Sequence, residues 1–301
     1  MRNVLITGCN GYLGVEMSMY FRMHGWHVFG VDPKPAPKCQ EGVLEDFENK
    51  HIQDLMAPPW VVDAVVHLGG ASKIVDDYPD SYYTKHNVET TKKLRELYPD
   101  VPLYLASTTG MYNEQRQIEH KHPYTRSKHE AEAYADVVFR MGTIVGTNRA
   151  GNFDYVIDLM IDSALKKREI IVAQGAKMRP LAGITYICMM YFRNVENGAL
   201  ARRAKREGAK VIMHLYETCQ SIENMATATH RGLYALSQTR YDAGKINFVR
   251  QNDLAGILKQ APAISSIPPD FQPGPVYDVR LFRLVMECLE RYEYFVKSSG
   301  Q

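Results

Sequence analysis

Residues 3–14 read Asn3-Val4-Leu5-Ile6-Thr7-Gly8-Cys9-Asn10-Gly11-Tyr12-Leu13-Gly14. A five-residue apolar run enters a turn with glycines at every third position, and a stretch of helical character follows over residues 12–24. Strand, tight turn and helix are the physical content of that pattern. Glycines let the backbone turn sharply and come close to a ligand. The helix start adds free N–H groups and the positive end of a dipole, which suits an anionic pyrophosphate. A second apolar run over 27–31 ends at Asp32, eighteen residues past Gly14. A carboxylate there accepts bonds from ribose hydroxyls and repels a 2′-phosphate, so the expected cofactor is NAD, with Lys34 as the nearby charge pulling the other way.

Working outward, short runs at 3–7, 27–31, 64–68, 102–106 and 137–141 read as strands, with helical stretches at 12–24, about 79–98 and 124–135. Strands separated by helices imply βαβ units, hence an α/β fold with a doubly wound parallel sheet. The second half is less regular. Helices are expected at 152–167, 195–208 and about 278–296, and strands at 169–172 and about 211–215. A Pro-rich stretch, 260–276, reads as a surface loop. The expected organisation is a nucleotide-binding domain over 1–150, rejoined by about 184–215. A smaller α/β substrate lobe takes 151–183 and 216–301.

Composition narrows the function. Lys and Arg number 36 against 34 Asp and Glu, a net charge of +2, without the basic face expected of a nucleic-acid binder. The longest strongly apolar run, residues 184–192 (ITYICMMYF), is less than half of what a membrane helix needs. The N-terminus lacks the pattern of a secretory signal. Five cysteines, an odd number without C-x-x-C spacing, fit reduced thiols in a cytoplasmic protein. Ten histidines show no metal-ligand spacing, and His120-x-His122 reads as a polar loop.

Tyr124 and Lys128 stand four apart, on one face of a helix that follows the hydroxyl cluster Ser107-Thr108-Thr109. An ammonium beside a phenol, with a nicotinamide cation nearby, is expected to lower the phenol pKa toward neutrality. A second Tyr-x-x-x-Lys, Tyr241 to Lys245, contains a glycine in a polar stretch and reads as a solvated loop. Taken in order, Thr7–Gly14, Asp32, His67-Leu68-Gly69-Gly70-Ala71, Asn87-Val88, Ser107-Thr108, Met111-Tyr112, Pro123-Tyr124-x-x-Ser127-Lys128 and Arg140-x-Gly142-x-x-Val145-Gly146 resemble the extended short-chain dehydrogenase/reductases, the NAD-dependent epimerase/dehydratase group.

The resemblance implies a Rossmann-type sheet and a cytoplasmic, NAD-dependent enzyme on a small molecule. Tyr124 would be the general acid/base, Thr108 a hydrogen-bond donor to substrate, and Lys128 the group that binds the nicotinamide ribose and tunes Tyr124. Gly8, Asn10, Gly11, Tyr12, Leu13, Gly14, Asp32, Leu68, Gly69, Gly70 and Asn87 would line the cofactor cleft. Ser72, Thr109, Asn148, Asn152 and Arg179 would face substrate, Arg179 gripping a nucleotide-sugar diphosphate. Family members that eliminate water carry Asp-Glu directly after the catalytic Thr. Here those positions are Thr109 and Gly110, which favours a nucleotide-sugar epimerase. Two alternatives stay open: a net NAD(P)H-dependent reductase or dehydrogenase of a sugar or other carbonyl compound, and an inactive cofactor-binding sensor or scaffold. His51 stands where the family has an adenine-contacting Asp. Arg140 comes only twelve positions after Lys128, too few for the family's usual long interface helix, so its homodimer is not assumed.

Overall fold

The computed structural model describes residues 2–72, 74, 77–113, 115–120, 122–146, 155–237, 246–251 and 278–299. The chain divides into two compact units. The first comprises Met1–Met111, Glu119–Met141 and Thr185–Leu215; the second Tyr112–Ile118, Gly142–Ile184 and Tyr216–Gln301.

In the first unit, β1 (Asn3–Thr7) leads to α1 (Tyr12–Met23), then β2 (His27–Val31), β3 (Asp46–Glu48) and β4 (Ala64–His67). Next come α2 (Asp80–Tyr83), a π-helical turn Thr84–Glu89, α3 (Thr90–Leu97), β5 (Leu103–Thr108), α4 (Pro123–Ala131) with a 3₁₀ turn Glu132–Tyr134, and β6 (Val137–Met141). These strands and β10 (Val211–Leu215) form one sheet in the order β10-β6-β5-β4-β1-β2-β3, every pair parallel. The order reverses between β1 and β4, as in a doubly wound Rossmann-type fold. In open α/β sheets such a switch point, at the carboxyl ends of the strands, is where ligands bind. Both faces are covered, so the strands are almost uniformly apolar. Leu5, Val31, Val65, Leu103, Leu105 and Val138 pack with Leu94 and Leu97 of α3 in one buried cluster.

The second unit holds β7 (Thr143–Val145), α5 (Val156–Lys167), β8 (Glu169–Ala173), β9 (Met178–Gly183), β11 (Thr218–Ser221), α8 (Ile222–Ser237), β12 (Asn247–Gln251) and α9 (Val279–Ser299). Strands β11-β9-β7 form one small sheet and β12-β8 another. Ile161, Ile170, Leu181, Met225, Leu284 and Cys288 are among its buried core. Because β7 pairs with β9 of this unit, the first unit closes at Met141 rather than running on to residue 150.

The expected helix over 195–208 is two. Helix α6 (Ile184–Asn197) includes the apolar run 184–192, and α7 (Ala199–Glu207) starts after Gly198, whose left-handed backbone (φ +64°) redirects the chain. The Pro-rich stretch 260–276 and the motif 241–245 lie outside the described residues. Among the described residues no helix is long and apolar enough to cross a membrane.

Candidate active site

The glycine turn joins β1 to α1 at the switch point. Gly8 has φ +68°, and a Cβ there would sit 2.7 Å from the Gly69 nitrogen, so the turn packs directly on the loop after β4. A Cβ on Gly14 would fall 2.0 Å from the Gly8 carbonyl oxygen; bare backbone lets the first turn of α1 rest on the loop. Gly11 differs. Its nearest neighbour would be the Gly8 oxygen at 3.1 Å, so its missing side chain leaves room outward. Gly11 is the N-cap of α1 with no side-chain cap, and the first turn holds no acidic residue. The helix therefore presents unneutralised N–H groups and a positive dipole end. Tyr12 and Leu13, the first residues of α1, are buried.

Asp32 follows β2 and is buried. Its carboxylate accepts the backbone N–H of Asn10 at 3.0 Å and of Lys34 at 2.8 Å, while the Asn10 amide donates to the Lys34 carbonyl at 2.8 Å. Burial pushes the Asp32 pKa up; those backbone donors, Lys34 and His51 pull against it. At the end of β4, His67 Nδ1 lies 2.6 Å from Thr7 Oγ1, which also accepts the Gly69 N–H at 3.3 Å. Burial, helped by the Lys128 charge, drives His67 down to about 3, so the ring is neutral and clasps β4 to β1. Leu68 and Gly69 follow half-buried, and Gly70 and Ser72 are exposed.

Asn87 sits in the π-helical turn, a form that often marks functional sites. Its amide donates to Ser127 Oγ at 2.9 Å, and Ser127 donates to the Tyr124 carbonyl at 2.9 Å. Asn87 Oδ1 is buried without a hydrogen-bond partner among the described residues, against the bare backbone of Gly70.

Strand β5 delivers Thr108, and α4 delivers Tyr124 and Lys128 one turn apart. Thr108 Oγ1 accepts the Gly110 N–H at 2.9 Å. Burial lifts Tyr124 to about 12; the Thr108 hydroxyl opposes this and Tyr83 adds to it. The expectation of a phenol near neutrality therefore differs from what the chain alone provides. Lys128 Nζ donates to the Ala106 carbonyl at 3.4 Å instead, and burial lowers its pKa to about 8. Tyr83, fully buried, meets the Tyr124 ring edge-on at 6.1 Å.

Thr109, expected to face substrate, is buried at 2% exposure, and its hydroxyl donates to the Met141 carbonyl at 3.2 Å from the 3₁₀ turn Thr109–Met111. In the second unit, Arg179 on β9 is half-buried, burial lowers its pKa, and among the described residues it has no acceptor. Asn148 and Asn152 lie outside the described residues.

Two features escaped the sequence reading. Glu132 accepts Ser107 Oγ at 2.7 Å and both Nε (2.8 Å) and a terminal nitrogen (2.6 Å) of Arg140, a fully buried cluster behind Thr108. No local pattern announces that pairing, since the partners come from three elements. His122, by contrast, caps α4 with its own side chain; its place before a proline at the first helical position is a readable signal.

A family model described as the NAD dependent epimerase/dehydratase family matches residues 4–185. No curated relative matches the chain in sequence. Among solved structures, a UDP-glucose-4-epimerase from Stenotrophomonas maltophila with bound NAD and formylated UDP-arabinopyranose is 15% identical, with TM-score 0.72, over 100% of this chain and 99% of that one. An NAD-dependent NDP-hexosamine 5,6-dehydratase of tunicamycin biosynthesis is 16% identical, with TM-score 0.71, over 98% of each chain. A dTDP-glucose 4,6-dehydratase from Bacillus anthracis in complex with NAD is 16% identical, with TM-score 0.68, over 98% of this chain and 97% of that one. At such identities the likeness is one of fold.

Proposed function

The chain belongs to the NAD dependent epimerase/dehydratase family, and from that premise we propose that it is an NAD-dependent epimerase of a nucleotide-linked sugar. One observation carries the choice of epimerisation over water elimination. The hydroxyl pair Thr108–Tyr124 is assembled at the end of β5, while the two positions after Thr108 hold a buried, bonded threonine and a glycine, with no carboxyl group to move a second proton.

The glycine turn suits the cofactor's pyrophosphate, since Gly11 leaves a side-chain-free approach to the start of α1. Asp32 is assigned to the adenosine ribose, and Gly69, Gly70, Asn87 and Lys128 to the nicotinamide half. When bound there, NAD would supply the acceptor and donor of a hydride. Oxidation of the carbinol comes first and needs Tyr124 as phenolate, a form opposed by burial and favoured by the Thr108 hydroxyl and by the Lys128 ammonium on the same helix face: it would accept the carbinol proton as the hydride leaves. The phenol so formed would give that proton back to the carbonyl oxygen as the hydride returns. On the second unit, the Arg179 guanidinium, which has no acceptor among the described residues, is assigned to a phosphate of the substrate.

The test is incubation of the NAD-loaded protein with a panel of UDP- and dTDP-hexoses, following product stereochemistry by NMR together with nicotinamide absorbance. Epimer formation without net reduced cofactor is expected. Accumulation of NADH would move the assignment to a dehydrogenase, loss of water from the sugar to a dehydratase, and no conversion of any member would overturn it.

A further inference from the structure

We propose that His122 is a pH-sensitive positioning residue: its neutral imidazole caps α4 and so holds Tyr124 and Lys128 in place, and protonation of the ring releases that cap. The inference deepens the reading of Tyr124 as the proton-transferring group and rests on it for its functional meaning.

Helix α4 begins at Pro123, which has no N–H, so the Tyr124 N–H is the first donor at this terminus that needs a partner. His122 Nδ1 accepts it at 3.0 Å. A backbone N–H can only donate. Nδ1 is therefore the bare nitrogen, and the neutral ring carries its proton on Nε2. Serine, threonine, aspartate and asparagine, the usual residues here, keep their accepting oxygen throughout the physiological range; histidine does not. A proton on Nδ1 sets a donor against a donor and puts a full positive charge at the positive end of the helix dipole.

The main chain stays anchored when the ring leaves, because the His122 carbonyl separately accepts the Thr125 N–H (3.0 Å), the Thr125 hydroxyl (2.9 Å) and the Arg126 N–H (3.2 Å). The response is thus confined to the first residues of α4, Tyr124 foremost. The ring also stands edge-on to buried Tyr83 at 5.3 Å, and Tyr83 in turn meets Tyr124, so a displaced imidazole disturbs the phenol from two sides.

Other ionisable groups surround this end of α4. Helix α2 brings Asp80, Tyr82 and Tyr83; the π-helical turn brings Lys85, His86 and Glu89; α4 itself carries Tyr124, Arg126, Lys128, His129 and Glu130; and the preceding loop brings Glu119 and His120. Asp80 is bonded to Arg126 at 2.6 Å and His120 to His129 at 3.0 Å. His86 and His129 are both held below the ordinary histidine range by burial. None of these makes the Tyr124 N–H contact.

The experiment needs no substrate. In protein labelled with ¹⁵N-tyrosine, with the Tyr124 amide assigned by its loss in Tyr124→Phe, that amide is followed from about pH 8 to about pH 5. In the wild type its shift should trace a one-proton titration, and its exchange protection, corrected for the intrinsic rate, should fall roughly five- to tenfold. In His122→Asn, which caps without titrating, both should stay flat. His122→Ala should show the low protection at every pH. A Tyr124 amide that does not titrate in the wild type overturns the proposal, as does one that still titrates in His122→Asn or loses its titration in His120→Asn instead. If His122→Ala fails to fold, the wild-type and Asn comparison decides alone. With an active substrate in hand, the acid limb of kcat should vanish in His122→Asn while KM for NAD is unchanged. A failed substrate panel leaves the amide result standing.

Discussion

One helical segment, α4 and the 3₁₀ turn that continues it, buries two ionisable groups and treats them in opposite ways. Glu132 is fully buried and saturated: Arg140 grips it with two nitrogens, Ser107 donates to it, and Lys210 reaches it at 3.3 Å. Burial alone would push its pKa up, but the Arg140, Ser107 and Lys210 interactions outweigh it and hold the carboxyl below the usual range. One turn earlier, Lys128 is nearly as buried, with the Ala106 carbonyl at 3.4 Å as its one hydrogen-bond partner among the described residues, and its pKa falls to about 8. A paired charge secures a fold; a buried charge left uncompensated is retained where its partner is a ligand. The same contrast separates Arg140, gripped by Glu132, from Arg179, which has no acceptor among the described residues.

The sharpest way to break this division is to remove the working group and watch stability. Tyr124→Phe should cut turnover about 10²- to 10⁴-fold and leave the thermal midpoint close to wild type, measured by steady-state kinetics and calorimetry on one preparation. A comparable loss of stability would mean the phenol is a structural element. Next in size, Glu132→Ala should cost about 3–5 kcal/mol in urea unfolding, since the buried Arg140 guanidinium would lose the carboxylate that it grips with two nitrogens. A loss below about 1 kcal/mol would show that water can replace the carboxylate and that the cluster does not organise β5, α4 and β6.

Lys128→Met should do the reverse, ending turnover while adding about 1–3 kcal/mol of stability at neutral pH. The sign follows from the depressed pKa. Between about 8 in the folded state and about 10.4 in the unfolded one, the unfolded chain holds more protons, so wild-type stability rises with pH across that window. The variant lacks this slope, and its advantage should shrink as pH climbs through the same interval. A constant gap would place the lysine in water and remove the contrast with Glu132.

Much of the first unit could be read directly. Runs 3–7, 27–31, 137–141 and 211–215 coincide with β1, β2, β6 and β10, because each is a contiguous apolar segment bounded by turn residues, and a strand covered on both faces needs little else. Strands β7, β9 and β11 were not legible. They are three to six residues long, β9 contains both Pro180 and Gly183, and their pairing joins segments from 143 to 221. The helix expected over 195–208 failed at Gly198, where charge and amphipathic pattern continue but the backbone does not.

By itself, then, the sequence determined the parallel α/β class, the glycine turn before α1, Asp32 after β2, and the one-turn spacing of Tyr124 and Lys128. Each is a short-range property carried by a single strand, turn or helix face. Tertiary structure alone decided which charges are compensated. Glu132 meets Arg140 only because β6 returns beside β5, Thr109 turns inward because a 3₁₀ turn carries it to Met141, and Lys128 keeps a lone carbonyl because nothing acidic packs above it among the described residues. A side chain's solvation depends on neighbours brought from elsewhere in the chain, and solvation is what turns a residue type into a chemical group of particular strength.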